Sequence, residues 1–430
     1  MRAQNVTQSA VFSFDTEFSS ERGFCMRQIP FSPPDITEEE IQEVADVLRS
    51  GWITTGPKTK QFEREVADYC RTERAVCLNS ATACMEMTLR LFDIGPGDEV
   101  ITTAYTYTAT ASAICHTGAV PILIDVAQGS YEMDYEALEK AINSKTKAII
   151  PVDVGGVLCD YERVRRIAEK KRALFHAGNN RFQKALGRVL IMADSAHGFG
   201  AERNGKRSGE LADFTSFSFH AVKNLTTAEG GAVTWQQLPD IDSEEIYHQY
   251  MILSLHGQSK DALAKSQIGG WEYDIIAPYY KCNMTDIQAA LGVVQLRRYP
   301  QLLVKRRELI RLYENELAKL REFGIPVTSL SHYTESNCSS GHLFLMRIEG
   351  MGHEERSRVI EELAQRGVAS NVHYKPLPLL TAYRGMGFDI ENYPNAYHMY
   401  ENEISLPLHT KLNGDDVRYI GECLQEILRR

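Results

Sequence analysis

No run of apolar residues in this 430-residue chain approaches the ~20 that a membrane-crossing helix needs, so no membrane span is expected. The nine cysteines, at positions 25, 70, 77, 84, 115, 159, 282, 338 and 423, are scattered, odd in number and never spaced C-x-x-C. A disulfide framework or zinc site is therefore not expected, and a reducing, cytoplasmic setting fits better. Positive charge is not in excess: 47 Lys and Arg face 57 Asp and Glu, for a net charge of −10. That balance argues against a nucleic-acid partner, while leaving room for a local pocket that takes a phosphorylated small molecule. There is no G-x-G-x-x-G and no Walker lysine, so a nucleotide-fold reading has little support. Internal repeats and low-complexity tracts are also missing. The first 25 residues lack a basic start followed by an apolar core, so a signal peptide is not expected. Met26 reads as the true start, and residues 1–25 are expected to be a loosely packed extension.

What is present is ordinary globular composition, 43% apolar and 24% charged. "TEEEIQEVADVLRSG" reads as a helix. Thr37 and Glu40 form a capping box, Ile36 and Ile41 a staple, and Ile41, Val44, Ala45 and Leu48 a shared face, with Gly51 as the stop. From residue 75 apolar strands alternate with amphipathic helices: "AVCLN", "DEVITTAYT", "VPILIDV", "TKAIIPVDV" and "RVLIMAD" are the strands. This pattern predicts an α/β fold with a mostly parallel sheet covered on both faces. "DFTSFSFH" and "GGAVTW" add two strands. Residues 174–188 read as a polar surface insertion. Past residue 300, a long helix ("VKRRELIRLYENELAKL"), the strands "HLFLMRI" and "VASNVHY" and a closing helix predict a smaller α/β domain. The expected division is 1–25, 26–295 and 296–430.

Ligands of parallel sheets bind beyond the carboxyl ends of the strands, and four such ends carry suggestive residues. In "LNSATACMEM" a strand turns into a helix, where Ala81 and Thr82 could receive a phosphate on free N–H groups; Ser80 or Thr82 could equally be a plain N-cap. Tyr107 in "YTYT" could stack on a flat ring or simply fill core. Asp194 ends the apolar strand of "LIMADSAHGFGA". A half-buried carboxylate needs a cationic or hydrogen-bonding partner, and a protonated pyridine nitrogen is one; His197 lies on the next turn. Lys223 in "SFSFHAVKNLTTAEGG" sits among apolar residues. Those surroundings favour the neutral amine that makes Schiff bases, although a surface lysine can also lay its stem along apolar neighbours. Ser218 offers an anion a hydroxyl. In chain order these are a phosphate site, a ring stacker, a pyridinium partner and an imine-forming lysine, which together describe a pyridoxal phosphate (PLP) site.

The same motifs, with "SGWITTGPK", "GAVPILIDV" and "YYKCNMTDIQAALGVVQL", make the chain from about residue 27 resemble the DegT/DnrJ/EryC1/StrS family of nucleotide-sugar aminotransferases. Within the family the motifs lie nearest those of enzymes that aminate the 4-keto form of UDP-linked arabinose. The resemblance implies a fold-type-I, aspartate aminotransferase-like PLP enzyme. Its cofactor would alternate between PLP and pyridoxamine phosphate, its substrate would be a nucleotide-linked keto-deoxysugar, and its amino donor glutamate. Carried over residue by residue, Lys223 would bind the cofactor aldehyde and Asp194 the ring nitrogen. His197, where Gln is common, would face the ring hydroxyl, and Tyr107 would stack. Ala81, Thr82 and Ser218 would hold the phosphate. Asn283 would reach the cofactor of a second subunit, which implies a homodimer. Two other readings are a sugar dehydratase of the same fold, which carries His in place of the lysine, and a non-catalytic PLP-binding regulator.

Overall fold

The computed structural model describes residues 27–260 and 272–429. The expected extension at 1–25 lies outside those residues. A seven-stranded sheet is built from β1 (Ala75–Leu78), β2 (Glu99–Thr103), β3 (Val120–Ile124), β4 (Thr146–Ile150), β5 (Leu190–Asp194), β6 (Phe214–Ser218) and β7 (Gly231–Trp235). Their spatial order is β1-β7-β6-β5-β4-β2-β3. Only β7 runs against its neighbours. The central strands read as continuous apolar runs because helices cover both faces: β4, β5 and β7 are buried along almost their whole length. A second sheet of β8 (Val327–Ser329), β9 (Phe344–Ile348) and β10 (Glu403–Leu406) has its own core, where Leu309, Tyr313, Phe344 and Ile420 meet.

The helices used below are α1 (Glu38–Ser50), α2 (Pro57–Cys70), α3 (Ala81–Leu91), α4 (Thr108–Thr117), α5 (Arg181–Leu186) and α6 (Asp286–Glu322). Three differ from expectation. In α1 the capping box forms, with the Thr37 N–H donating to Glu40 at 2.7 Å, and Gly51 ends the helix at φ 76°. However, Ile41 and Leu48 are more than half exposed, and the buried residues are Glu40 and Val47. Arg298 and Gln295 draw Glu40 inward, at 2.5 and 2.8 Å. These charge-assisted bonds on a buried carboxylate outweigh the burial of two aliphatic side chains.

The segment 174–188 is more than a polar insertion. Asn180 caps α5, whose Phe182 and Leu186 are buried, with Phe182 packed on Phe92 at 6.0 Å. The long helix starts earlier than "VKRRELI". α6 begins behind a Thr285–Gln288 capping box and continues through Pro300, so residues 295 and 296 both lie inside it. "VASNVHY" forms no continuous strand. It makes isolated bridges, Val368 with Ile29 and Asn371 with Ser405.

Candidate active site

The approach to Lys223 is a packed aromatic strand. Phe217 and Phe219 are fully buried, each edge-on to Phe199 at 5.0 and 5.4 Å. Beyond Ser218 the chain leaves the sheet and folds into a turn, with the Lys223 N–H donating to the His220 carbonyl at 2.9 Å. Leu225 is buried behind it. Asn224 anchors the turn to a distant segment: its amide donates to the Ser340 carbonyl at 2.8 Å and its oxygen pairs with His342 Nδ1 at 2.9 Å. With both neighbours fixed, Lys223 is left on the wall of a cavity of about 310 Å³.

The cavity lies at the carboxyl ends of the parallel strands, as the topology requires. Lining it are Ala81, Thr82, Tyr107, Asp194, His197, Ser218 and Lys223. Asn283, the eighth residue singled out from the sequence, does not line it and donates to Thr55 Oγ1 at 2.6 Å. On the cavity wall stands the start of α3. Ser80 caps it, its hydroxyl accepting from the Ala83 N–H at 3.1 Å, so the plain N-cap reading holds for Ser80. The N–H groups of Ala81 and Thr82 belong to the first turn and have no intrahelical partner. Gly231 allows this geometry: a Cβ there would lie 2.5 Å from the Ala81 nitrogen.

Also on the cavity wall is Asp194, 5% exposed. Its Oδ2 accepts from Thr110 Oγ1 at 2.6 Å and its Oδ1 from the Ala196 N–H at 3.3 Å. Burial pushes this carboxyl up; Thr110, Ala196 and the nearby Lys223 ammonium pull it down without cancelling the rise. Burial holds the Lys223 amine down at about 8, despite the opposing pull of Asp194. His197 is kept neutral, far below its ordinary range, by burial first and Lys223 second. The Gly155 N–H donates to His197 Nδ1 at 3.2 Å, which places the ring proton on Nε2, 2.7 Å from the Tyr374 hydroxyl. Thr110, His373 and Tyr374 were not singled out from the sequence. Thr110 lies 84 residues from Asp194, and no local signal pairs them.

Residues 34–425 match the DegT/DnrJ/EryC1/StrS aminotransferase family. The chain belongs to this aminotransferase family. Among solved structures it is similar to "Putative sugar aminotransferase Spr1654" of Streptococcus pneumoniae in its PMP-form, with 57% identity, a TM-score of 0.90 and coverage of 93% of this chain and 99% of that one. The same protein is known in a PLP-form. Among curated proteins it is 38% identical to the uncharacterized protein MJ1066 of Methanocaldococcus jannaschii, covering 93% of this chain and 97% of that protein. It is 35% identical, with the same coverage, to the spore coat polysaccharide biosynthesis protein SpsC of Bacillus subtilis.

The donor set suits PLP, the cofactor of this aminotransferase family. A helix start held clear by glycine offers N–H groups to a phosphate. A buried carboxylate with a surplus of acceptor capacity lines the same cavity, where a protonated ring nitrogen would relieve the cost of its burial. On the same wall stands a lysine whose ammonium form is disfavoured. No helix among the described residues is long and apolar enough to cross a membrane.

Proposed function

We propose that this aminotransferase moves an amino group from glutamate to the 4-keto carbon of a nucleotide-linked deoxysugar, in the cytoplasm, to supply an amino sugar for a cell-surface polysaccharide. One observation carries the reading: Lys223, Asp194 and the start of α3 face a single cavity at the carboxyl edge of the sheet. The likeness to a protein described as a sugar aminotransferase and to SpsC supports the sugar and the polysaccharide.

Bound there, PLP supplies an electron sink for the carbon that loses and regains its proton. Lys223 holds the cofactor and, once released from it, carries the proton to and from that carbon as a general base. Asp194 keeps the ring nitrogen protonated, and Thr110 holds the carboxylate in place by donating to Oδ2. Ala81, Thr82 and Ser218 bind the phosphate, and Tyr107 covers the ring. His197, its Nε2 held by Tyr374, would face the ring hydroxyl side. Asn283 completes the site of a second copy in a homodimer. The test incubates the cofactor-loaded protein with glutamate and a panel of 3-keto and 4-keto nucleotide sugars, and reads products by mass spectrometry. An amine at C4 of one member supports the reading. Amine at C3 alone, or no transfer to any member, overturns it.

A further inference from the structure

A buried carboxyl on β10 has no part in the amino transfer described above, yet it is wired to the cavity wall. Glu403 is 0% exposed. One of its oxygens accepts the His373 backbone N–H at 2.9 Å, and the other lies 2.6 Å from the Ser405 hydroxyl. The same hydroxyl lies 2.8 Å from His373 Nδ1. Residues 403 and 405 share one face of the strand. Paired backbone bonds between Asn371 and Ser405, at 2.8 and 3.0 Å, set the register that brings His373 opposite them. Phe31 stacks on the His373 ring at 5.5 Å and 13°. The ring lines the cavity, and its Nε2 has no hydrogen-bond partner among the described residues.

A serine hydroxyl has one proton, so this line of bonds has two arrangements. We infer that Glu403 and Ser405 are positioning residues that decide which nitrogen of His373 carries its proton, so that the cavity wall presents a donor when Glu403 is an acid and an acceptor when it is a carboxylate. In the first arrangement Glu403 donates to Ser405, Ser405 donates to Nδ1, and the ring proton is on Nε2. Removing one proton reverses the line: it leaves from Nε2, the serine proton moves to Nδ1, and the glutamic acid proton moves to Ser405. No bond between heavy atoms changes, and the charge of the line falls by one.

The surroundings allow both states. Glu403 faces the guanidinium groups of Arg347 and Arg356 and the phenols of Tyr105, Tyr131 and Tyr374. His373 faces the Lys223 ammonium and the imidazoles of His197 and His342. Burial pushes the Glu403 carboxyl up to about 8, against the pull of Ser405, the His373 N–H and the two arginines. Burial, with Lys223, keeps the His373 ring neutral down to about 3. The donor arrangement therefore holds at neutral pH, and the acceptor arrangement takes over on the alkaline side of about 8.

This inference rests on the proposed function only for what the donor meets, an oxygen of the keto substrate. Its test needs no turnover. Holoprotein carrying 15N-histidine is examined by long-range proton–nitrogen correlation at pH 6.5 and 9.5, with a His373→Gln variant identifying the signal. The expected result is an Nε2–H ring at pH 6.5 and an Nδ1–H ring at pH 9.5. Glu403→Gln, whose amide can only donate to Ser405, should hold the Nε2–H form at both values. Ser405→Ala should abolish the switch. An unchanged tautomer in the wild-type protein overturns the inference, as does a switch that persists in Ser405→Ala. If Glu403→Gln does not fold, the comparison of wild type with Ser405→Ala decides alone. A protein that transfers amine without the switch sinks only the relay; one that switches without transferring amine sinks only the proposed activity.

Discussion

At the scale of single residues, the site is governed by the cost of burying charge. Lys223, held down at about 8, is a neutral amine on the alkaline side of that value, so its reaction with a carbonyl should follow the same titration. The rate at which the cofactor-free protein takes up PLP should rise with pH and level off above about 8, rather than climbing toward the 10 of an ordinary lysine; stopped-flow absorbance across pH 6–10 measures this. Replacing Lys223 by Ala should lower turnover on the order of 10³-fold or more while leaving the melting midpoint no lower, because a buried ammonium is lost with it. Thr110→Val keeps the shape but removes the donor to Asp194 Oδ2. An unmet acceptor costs about 1–2 kcal/mol, so PLP affinity, read by equilibrium dialysis, should fall roughly 5–30-fold. Unchanged affinity would show that Thr110 does not support the carboxylate. Lys223 and Asp194 were legible in the sequence because each interrupts an apolar run where only a function repays the burial. Thr110 was not, because a threonine in the first turn of a helix is unremarkable until its distant partner is known.

At the scale of elements, the parallel strands were legible because burial on both faces leaves apolar runs such as Ala148–Ile150 and Leu190–Ala193. Two of the misread elements, α1 and α5, share a cause: their side chains answer to polar partners far away in the chain. Glu40 turns α1 around by reaching Arg298, 258 residues on. Gln183, buried in α5, donates to the Phe92 carbonyl across 91 residues. Within the early part of α6, Gly292 is the position where Phe62 of α2 packs too closely for any side chain. The same kind of close approach fixes the candidate phosphate site. Gly231 opens β7, and a methyl group there would sit 2.5 Å from the Ala81 nitrogen. Gly231→Ala should therefore force β7 and the start of α3 apart, costing about 1–3 kcal/mol in urea unfolding and weakening PLP binding in the same variant. An alanine variant with wild-type stability and PLP affinity would show that the helix start does not depend on that contact.

At the scale of the whole molecule, the cavity is closed by residues from both sheets. Tyr374, which follows His373 beside β10, meets His197 and Tyr107 from the large-sheet side. Such contacts span hundreds of residues and leave no local pattern, so the sequence did not show how the C-terminal segment completes the site. Burial also sets the acid response of the molecule. Among the described residues, His197, His332, His342, His373 and His409 are all lowered, chiefly by burial. A group depressed on folding contributes stability above its unfolded value, near ~6.5, and loses it as pH falls toward its folded value. Asp153 and Glu403, pushed up to about 7 and about 8, act in the opposite sense over the same range, because the folded chain keeps their protons. Glu63 and Asp194, also pushed up by burial, act with them, so the histidine losses between pH 7 and 5 are offset in part. His332 isolates one share of this. It lies beneath Phe344, its Nδ1 bonds to Ser339 at 2.9 Å, and it is held at about 4. His332→Asn retains a donor to Ser339 and cannot titrate. Its stability should fall by about 2 kcal/mol less than that of the wild type over the same interval, measured by urea unfolding at both pH values. Parallel losses in the two proteins would mean that His332 becomes charged without unfolding the chain around it.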